Sequence, residues 1–214
     1  MKTWMCAGAV ALALAMTPTT AQALILEYAG FYDRMKVVNK TDYPLVTLAF
    51  YLNHRQQGHP CVIRQAELIH KEMRLPVGIS PRYELLLPFD PKLKLDKAVL
   101  ALSVDDESQC DFAMQLRFSD PLQQAFSGAE LDQLASQFDA VLKRFAGFPF
   151  RFLQPDVSGV VVQLAPDSLM TDQRHVSQRG DAQGRITLTQ QQLVELETLR
   201  FSEPPLWIGP YIER

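Results

Sequence analysis

Three cysteines, four histidines and ten glycines are a thin supply for 214 residues, and each shortage narrows what the chain can do. The glycines never cluster into a phosphate-cradling loop, so nucleotide binding of that kind is not indicated. No serine sits in a tight glycine turn of the sort that presents a hydrolase nucleophile. The histidines include no zinc-protease pair, since His70-Lys71-Glu72 lacks the required second imidazole. A surplus of positive charge is also missing. The net charge is −3, and this mild acidity gives no electrostatic footprint for nucleic acid or anionic lipid. Beyond residue 23 there is no apolar run of membrane-spanning length.

What is present begins with a targeting pattern. Lys2 supplies a positive charge, Cys6 to Met16 (CAGAVALALAM) is unbroken apolar sequence, and Ala21-Gln22-Ala23 is an A-x-A cleavage signal. The reading is a signal peptide over 1–23, cleavage after Ala23 and a periplasmic product with no remaining membrane span. The alternative is an uncleaved amino-terminal anchor. Cys6 precedes the apolar core and is misplaced for lipid attachment at the cleavage point. Losing Lys2, the one charged residue of the segment, moves the net charge from −3 to −4.

Cleavage also leaves an even pair of cysteines, Cys61 and Cys110, in an oxidising compartment. A bridge between them closes a loop of about 50 residues and stabilises by roughly 4 kcal/mol through the entropy of the unfolded chain. Two buried free thiols are the other possibility.

Periodicity predicts an α+β chain, mainly β. Leu24 to Tyr28 is a short opening strand, and Phe31, Met35 and Val38 space a short helix. Pro44 to Leu52 is a strand apolar on both faces, followed by a polar loop from Asn53 to Pro60. Extended segments follow at Cys61 to Ile69 and Arg82 to Phe89. Ala98 to Val104 and Cys110 to Phe118 then read as a hairpin, the second run alternating Cys110, Phe112, Met114, Leu116 and Phe118 with mostly polar residues. Residues 24–120 thus form a sandwich-like antiparallel unit. After the Asp120-Pro121 break, 121–214 form a smaller αβ part. Ser127 and Glu130 suggest a capping box opening the central amphipathic helix, which runs through Leu131, Leu134, Phe138, Val141 and Phe145 to Gly147. Strands are expected at Phe150 to Leu153, Gly159 to Leu164, Arg185 to Leu188 and Leu199 to Phe201. Thr189 and Gln192 form a second capping box, and Ala165 to Arg185 is polar and loosely structured.

The two parts echo one another. Phe31 to Val38 and Leu131 to Phe145 are helical and each precedes strands. Leu93 and Leu193 each lie in a connector between strands ending Leu102-Ser103 and Phe201-Ser202. A diverged duplication explains this, as does coincidence in a strand-rich chain.

Candidate sites are sparse. His54 and His59 share the loop before Cys61 and are the weak candidates for a zinc or copper site, which a bridged Cys61 would not serve. No cofactor is implied, and no catalytic residue is assigned. Asp105-Asp106 in a turn and Arg179-Gly180-Asp181 are ordinary solvated turn residues. Trp207, Ile208 and Tyr211 follow Pro204-Pro205 near the carboxyl end. They either strap the tail to the fold or form a partner-binding patch.

The stretches Tyr28-Ala-Gly-Phe-Tyr-Asp-Arg-Met-Lys, Val38-Asn-Lys and Tyr43-Pro-Leu-Val-Thr-Leu-Ala-Phe-Tyr-Leu resemble an uncharacterised family of exported Gram-negative envelope proteins, domain of unknown function 2987. Cys61 and Leu87-Pro-Phe-Asp-Pro continue the likeness. The resemblance implies compartment and family but no activity. The expectation is a non-enzymatic envelope protein that binds or assembles with other proteins. A periplasmic small-ligand or metal binder is the alternative, and an unrecognised hydrolase the third.

Overall fold

A computed structural model of the protein describes residues 24–39, 42–119 and 122–213. The targeting segment 1–23 and the Asp120-Pro121 break lie outside them. The fold is α+β and mainly β, with every strand pairing antiparallel.

Strand β1 (Leu24–Glu27) leads directly into helix α1 (Tyr28–Val38), which turns Tyr28, Phe31, Met35 and Val38 inward at helical spacing. The apolar run then forms β2 (Val46–His54), buried along most of its length. β3 (Ile63–His70), β4 (Met73–Pro76), β5 (Gly78–Ile79) and β6 (Leu85–Leu86) follow. Helix α2 (Pro91–Leu95) starts with Asp90 accepting from the Lys92 amide, with proline in its first turn. β7 (Val99–Val104) and β8 (Cys110–Phe118) complete the first half. The second half holds β9 (Ala125–Ser127), α3 (Gly128–Ala146), β10 (Gly159–Gln163), β11 (Met170–Asp172) and β12 (Ser177–Gln178). It ends with β13 (Arg185–Thr189), α4 (Gln190–Glu195), β14 (Thr198–Phe201) and β15 (Trp207–Tyr211).

The halves lay out their strands in the same order. One sheet runs β1-β7-β3-β4 and another β9-β14-β11-β12, while β2 pairs with β8 as β10 pairs with β15. The echoed leucines, Leu93 and Leu193, are both buried in the short helices α2 and α4. One continuous core joins the halves, with Phe31, Phe50 and Leu100 from the first and Phe138, Val160 and Ile208 from the second. Gln137 of α3 also accepts the Leu45 amide at 3.0 Å across the divide.

Several elements depart from the sequence reading. β7 and β8 are not a hairpin. β8 pairs with β2 over its whole length, from His54↔Cys110 to Val46↔Phe118, and β7 is an inner strand between β1 and β3. The short polar connection therefore crosses between sheets. Arg82 to Phe89 is strand only at Leu85-Leu86, because Tyr83 is left-handed (φ 63°) and the Ser80 hydroxyl accepts the Arg82 and Glu84 amides. Phe150 to Leu153 is a 3-10 turn rather than a strand, closed by the Phe152 and Leu153 amides on Pro149 and Phe150 carbonyls. Ser127 caps α3 by accepting the Glu130 amide at 3.1 Å without the return bond of a full box, its residue being paired to Thr198 in β9–β14. The Thr189–Gln192 box is complete. Polar segment 165–185 contains β11 and β12.

That segment is tied by two aspartates. Asp172 accepts the Val176 amide, the Arg174 amide and the Arg174 side chain, and Asp181 accepts the Arg185 and Gln183 amides. Backbone donors hold both carboxyls below their usual range, Val176 first for Asp172 and Arg185 first for Asp181. A carboxyl with a depressed folded pKa contributes stability that is present above the unfolded value of about 3.9 and lost as pH falls through the folded one. The urea midpoint should therefore hold from pH 7 to about pH 5 and drop below about pH 4. An Asp172→Asn/Asp181→Asn double variant should lose stability at pH 7 and show a shallower acid fall. Equal acid slopes in the two proteins would refute this.

Candidate functional site

The polar face of β8 is the starting point. Period-two alternation turns Leu116 and Phe118 into the core, which leaves Gln115 and Arg117 on the other face. Beside β8 runs β15, brought close at Gly209, where a Cβ would stand 3.2 Å from the Leu116 carbonyl oxygen. This approach lays the Arg117 guanidinium over the Trp207 ring at 3.8 Å, with the Tyr51 ring of β2 at 5.8 Å. Guanidinium on indole is favourable because the planar cation is weakly hydrated and meets the negative ring face.

Around this stack opens a cleft of about 500 Å³ between the halves. β2 contributes Tyr51 and Asn53, β8 contributes Gln115 and Arg117, β10 contributes Gln163, and β15 contributes Trp207. Thus equivalent strands of the two halves face each other across it. The left-handed turn before β6 adds Arg82 and Tyr83, and the start of β13 adds Arg185. Arg82 Nη1 donates to the Leu206 carbonyl at 2.7 Å, which ties this first-half turn to the second half. Gln163 Nε2 donates to the Gln183 and Gly184 carbonyls at 2.8 and 3.2 Å, closing the far wall.

The electrostatics are one-sided. Three arginines line the cleft, and among the described residues no aspartate or glutamate does. Arg185 reaches Asp181 at 3.7 Å. Arg82 and Arg117 spend their hydrogen bonds on a carbonyl and on the Gln115 amide oxygen. The Nε of Arg117 is buried without a partner. Burial pushes the Arg117 pKa down, opposed by Tyr51 and by Glu84 behind it. An arginine so placed stays cationic, and its unpaired donor carries the cost of desolvation. Burial likewise pushes the Tyr51 phenol up, keeping it a neutral donor, here to Glu84 Oε2 at 3.3 Å. A guanidinium fork set over an aromatic ring, with further arginines and amides around it, has the chemistry to pair with a carboxylate or phosphate.

The residues singled out from sequence lie elsewhere or serve differently. Cys61 and Cys110 are bridged, with Cα atoms 6.3 Å apart. His54 and His59 come together with ring centroids 5.5 Å apart, but His59 is engaged by Gln57 at 2.5 Å and by the Pro60 carbonyl at 3.1 Å. Among the described residues no group of three or more His, Cys, Asp or Glu could hold a metal ion. Asp105 pairs with Arg64 at 2.8 Å and Asp106 accepts the Ser108 amide at 3.0 Å. Trp207, Ile208 and Tyr211 do not make one exposed patch. Ile208 is fully buried, all three lie in β15 paired to β10, and Trp207 carries the Arg117 stack. Arg82, Arg117 and Arg185 are far apart in the sequence and form no motif that marks them as a site. The one available signal is Arg117 on the polar face of a strand whose opposite face is apolar.

A family model described as "Protein of unknown function (DUF2987)" matches residues 20–164, a span that takes in Arg82, Arg117 and Gln163 and stops before Arg185 and Trp207. No curated protein and no solved structure matches the chain.

Proposed function

The chain belongs to this DUF2987 family of proteins of unknown function, and we propose that it is an exported, non-enzymatic binding protein whose inter-half cleft takes a small anionic ligand. The observation that carries this reading is Arg117, a stacked guanidinium with an unpaired buried donor in a cleft free of carboxylates among the described residues. The lining offers arginines, amides, tyrosines and a tryptophan, and among the described residues it has no serine, cysteine, histidine or acid. Such a set recognises charge and planarity; it has no nucleophile and base pair for hydrolysis. The cleft thus favours the small-ligand alternative over assembly with other proteins.

Export to the periplasm, with cleavage after Ala23, is supported by the targeting pattern and by the Cys61–Cys110 bridge, which needs an oxidising compartment to persist. The shared strand order supports descent of both halves from one duplicated unit, with the cleft at the seam between the copies.

The chain's tryptophans are Trp4 and Trp207, so after loss of residues 1–23 the tryptophan emission reports the cleft alone. Titration with pyrophosphate, citrate and glycerol phosphate as probes is expected to give a saturable change in Trp207 emission with at least one of them, weakened by added sulfate. Flat emission with all three would count against anion binding in the cleft.

A further inference from the structure

Between α3 and β10 the chain makes the 3-10 turn Phe150–Phe152, and its apolar side chains point away from the protein. Phe148 is 81% exposed, Phe150 63%, Phe152 68% and Leu153 80%. Exposure that high on four large side chains in six residues marks a projecting tip, since a flat or concave patch would shield them from one side. Soluble surfaces carry single exposed apolar residues freely, but not such a cluster without a use.

The tip is ordered from within. The Arg151 amide donates to the Gly147 carbonyl at 2.6 Å, the Phe152 amide to Pro149 at 3.2 Å and the Leu153 amide to Phe150 at 2.9 Å. Phe148 and Phe152 pack edge to face at 6.3 Å. A segment entering an apolar medium must satisfy its own backbone donors, and this turn does so for three of them.

Its charge is of one sign. From Ala140 to Pro155 the sequence contains Lys143, Arg144 and Arg151 and no aspartate or glutamate. Lys143 is taken up by Asp139 and Asp156, at 2.8 and 2.6 Å. Arg144 is exposed at the end of α3, and Arg151 sits within the turn over the Phe152 ring at 4.6 Å. The chain as a whole is acidic, and this tip is not.

We propose that Phe148–Leu153 is a peripheral membrane anchor that seats its phenylalanines at the interface of a bilayer carrying anionic phospholipid. Aromatic rings suit the headgroup level, where one side is apolar and the other wet, and arginines beside them meet lipid phosphates. No helix among the described residues is long and apolar enough to cross a membrane. A turn of six residues reaches no deeper than the interface, so attachment by the tip itself is shallow and reversible. The anchor is independent of what occupies the cleft.

Flotation assays should use protein purified from cells expressing the whole chain. Vesicles of phosphatidylethanolamine with phosphatidylglycerol are compared with vesicles of phosphatidylcholine alone. Binding is expected to the anionic vesicles, decreasing with salt, and at least tenfold weaker for Phe150→Ser/Phe152→Ser. Arg151→Glu should weaken anionic-vesicle binding more than neutral-vesicle binding. Because these side chains touch little of the core, the variants should keep the wild-type melting temperature and cleft titration. Absence of vesicle binding, or binding indifferent to the double variant, would overturn the anchor. So would a concentration-dependent dimer abolished by the same variant, which would make the tip a contact for a second copy.

Discussion

Removing the Cys61–Cys110 bridge is expected to lower the unfolding free energy by about 4 kcal/mol. The bridged residues are 49 apart in sequence, and closing a loop of that length removes about 4 kcal/mol of conformational entropy from the unfolded chain. The bridge also fastens two elements that no hairpin joins. Cys61 lies just ahead of β3, in the sheet with β7, while Cys110 begins β8, which pairs with β2. Both sulfurs are in residues buried within the core. Domains of this size are commonly stable by only about 5–15 kcal/mol, so the loss is a large share. Urea unfolding of the oxidised protein should be compared with that of Cys61→Ala/Cys110→Ala, which avoids leaving one thiol orphaned. A lower midpoint in the double variant, with a somewhat steeper slope because its denatured chain is less compact, is the expected result. Coincident curves would mean that the sheets are held by packing alone.

The second large effect concerns Arg117. Its replacement by glutamine should weaken anion binding about a hundredfold, since a desolvated charge-assisted contact contributes about 1.5–3 kcal/mol and 1.4 kcal/mol is tenfold. Arg117→Lys should restore only part of this, because an ammonium lacks the two-pronged fork and the planar, weakly hydrated face that a guanidinium brings to an aromatic ring. The fold should tolerate both changes, as the side chain stands on the cleft face of β8 and not among Leu116 and Phe118. Comparable affinity in all three proteins would remove Arg117 from the site.

Much of the fold was legible because local rules settle it. The spacing of Phe31, Met35 and Val38, the Thr189–Gln192 box and the apolar run of β2 each point to one local structure, and each is present. Strand partners were not legible. Ala98 to Val104 and Cys110 to Phe118 are joined by a short polar link, the ordinary sign of a hairpin, yet each finds a longer or better-buried partner elsewhere. Tertiary pairing outweighs a short connection because every residue of β8 can be matched along β2.

The cleft was less legible still. Arg82, Arg117 and Arg185 are far apart in sequence and form no motif. They meet because the left-handed Tyr83 turn reaches the Leu206 carbonyl and because β15 lies against β8. Trp207 is legible in the sequence as an aromatic in the tail, but its partner is not, since only the juxtaposition of the two halves supplies it.

The most direct measurement is native mass spectrometry of the protein isolated gently from its own cells, beside Arg117→Gln prepared in the same way. The wild-type chain is expected to carry an added small-molecule mass that is released by denaturation, ionises as an anion and is absent from Arg117→Gln. A wild-type chain at its bare polypeptide mass that also takes up no anion on addition would contradict this expectation, as would an anion carried equally by both proteins.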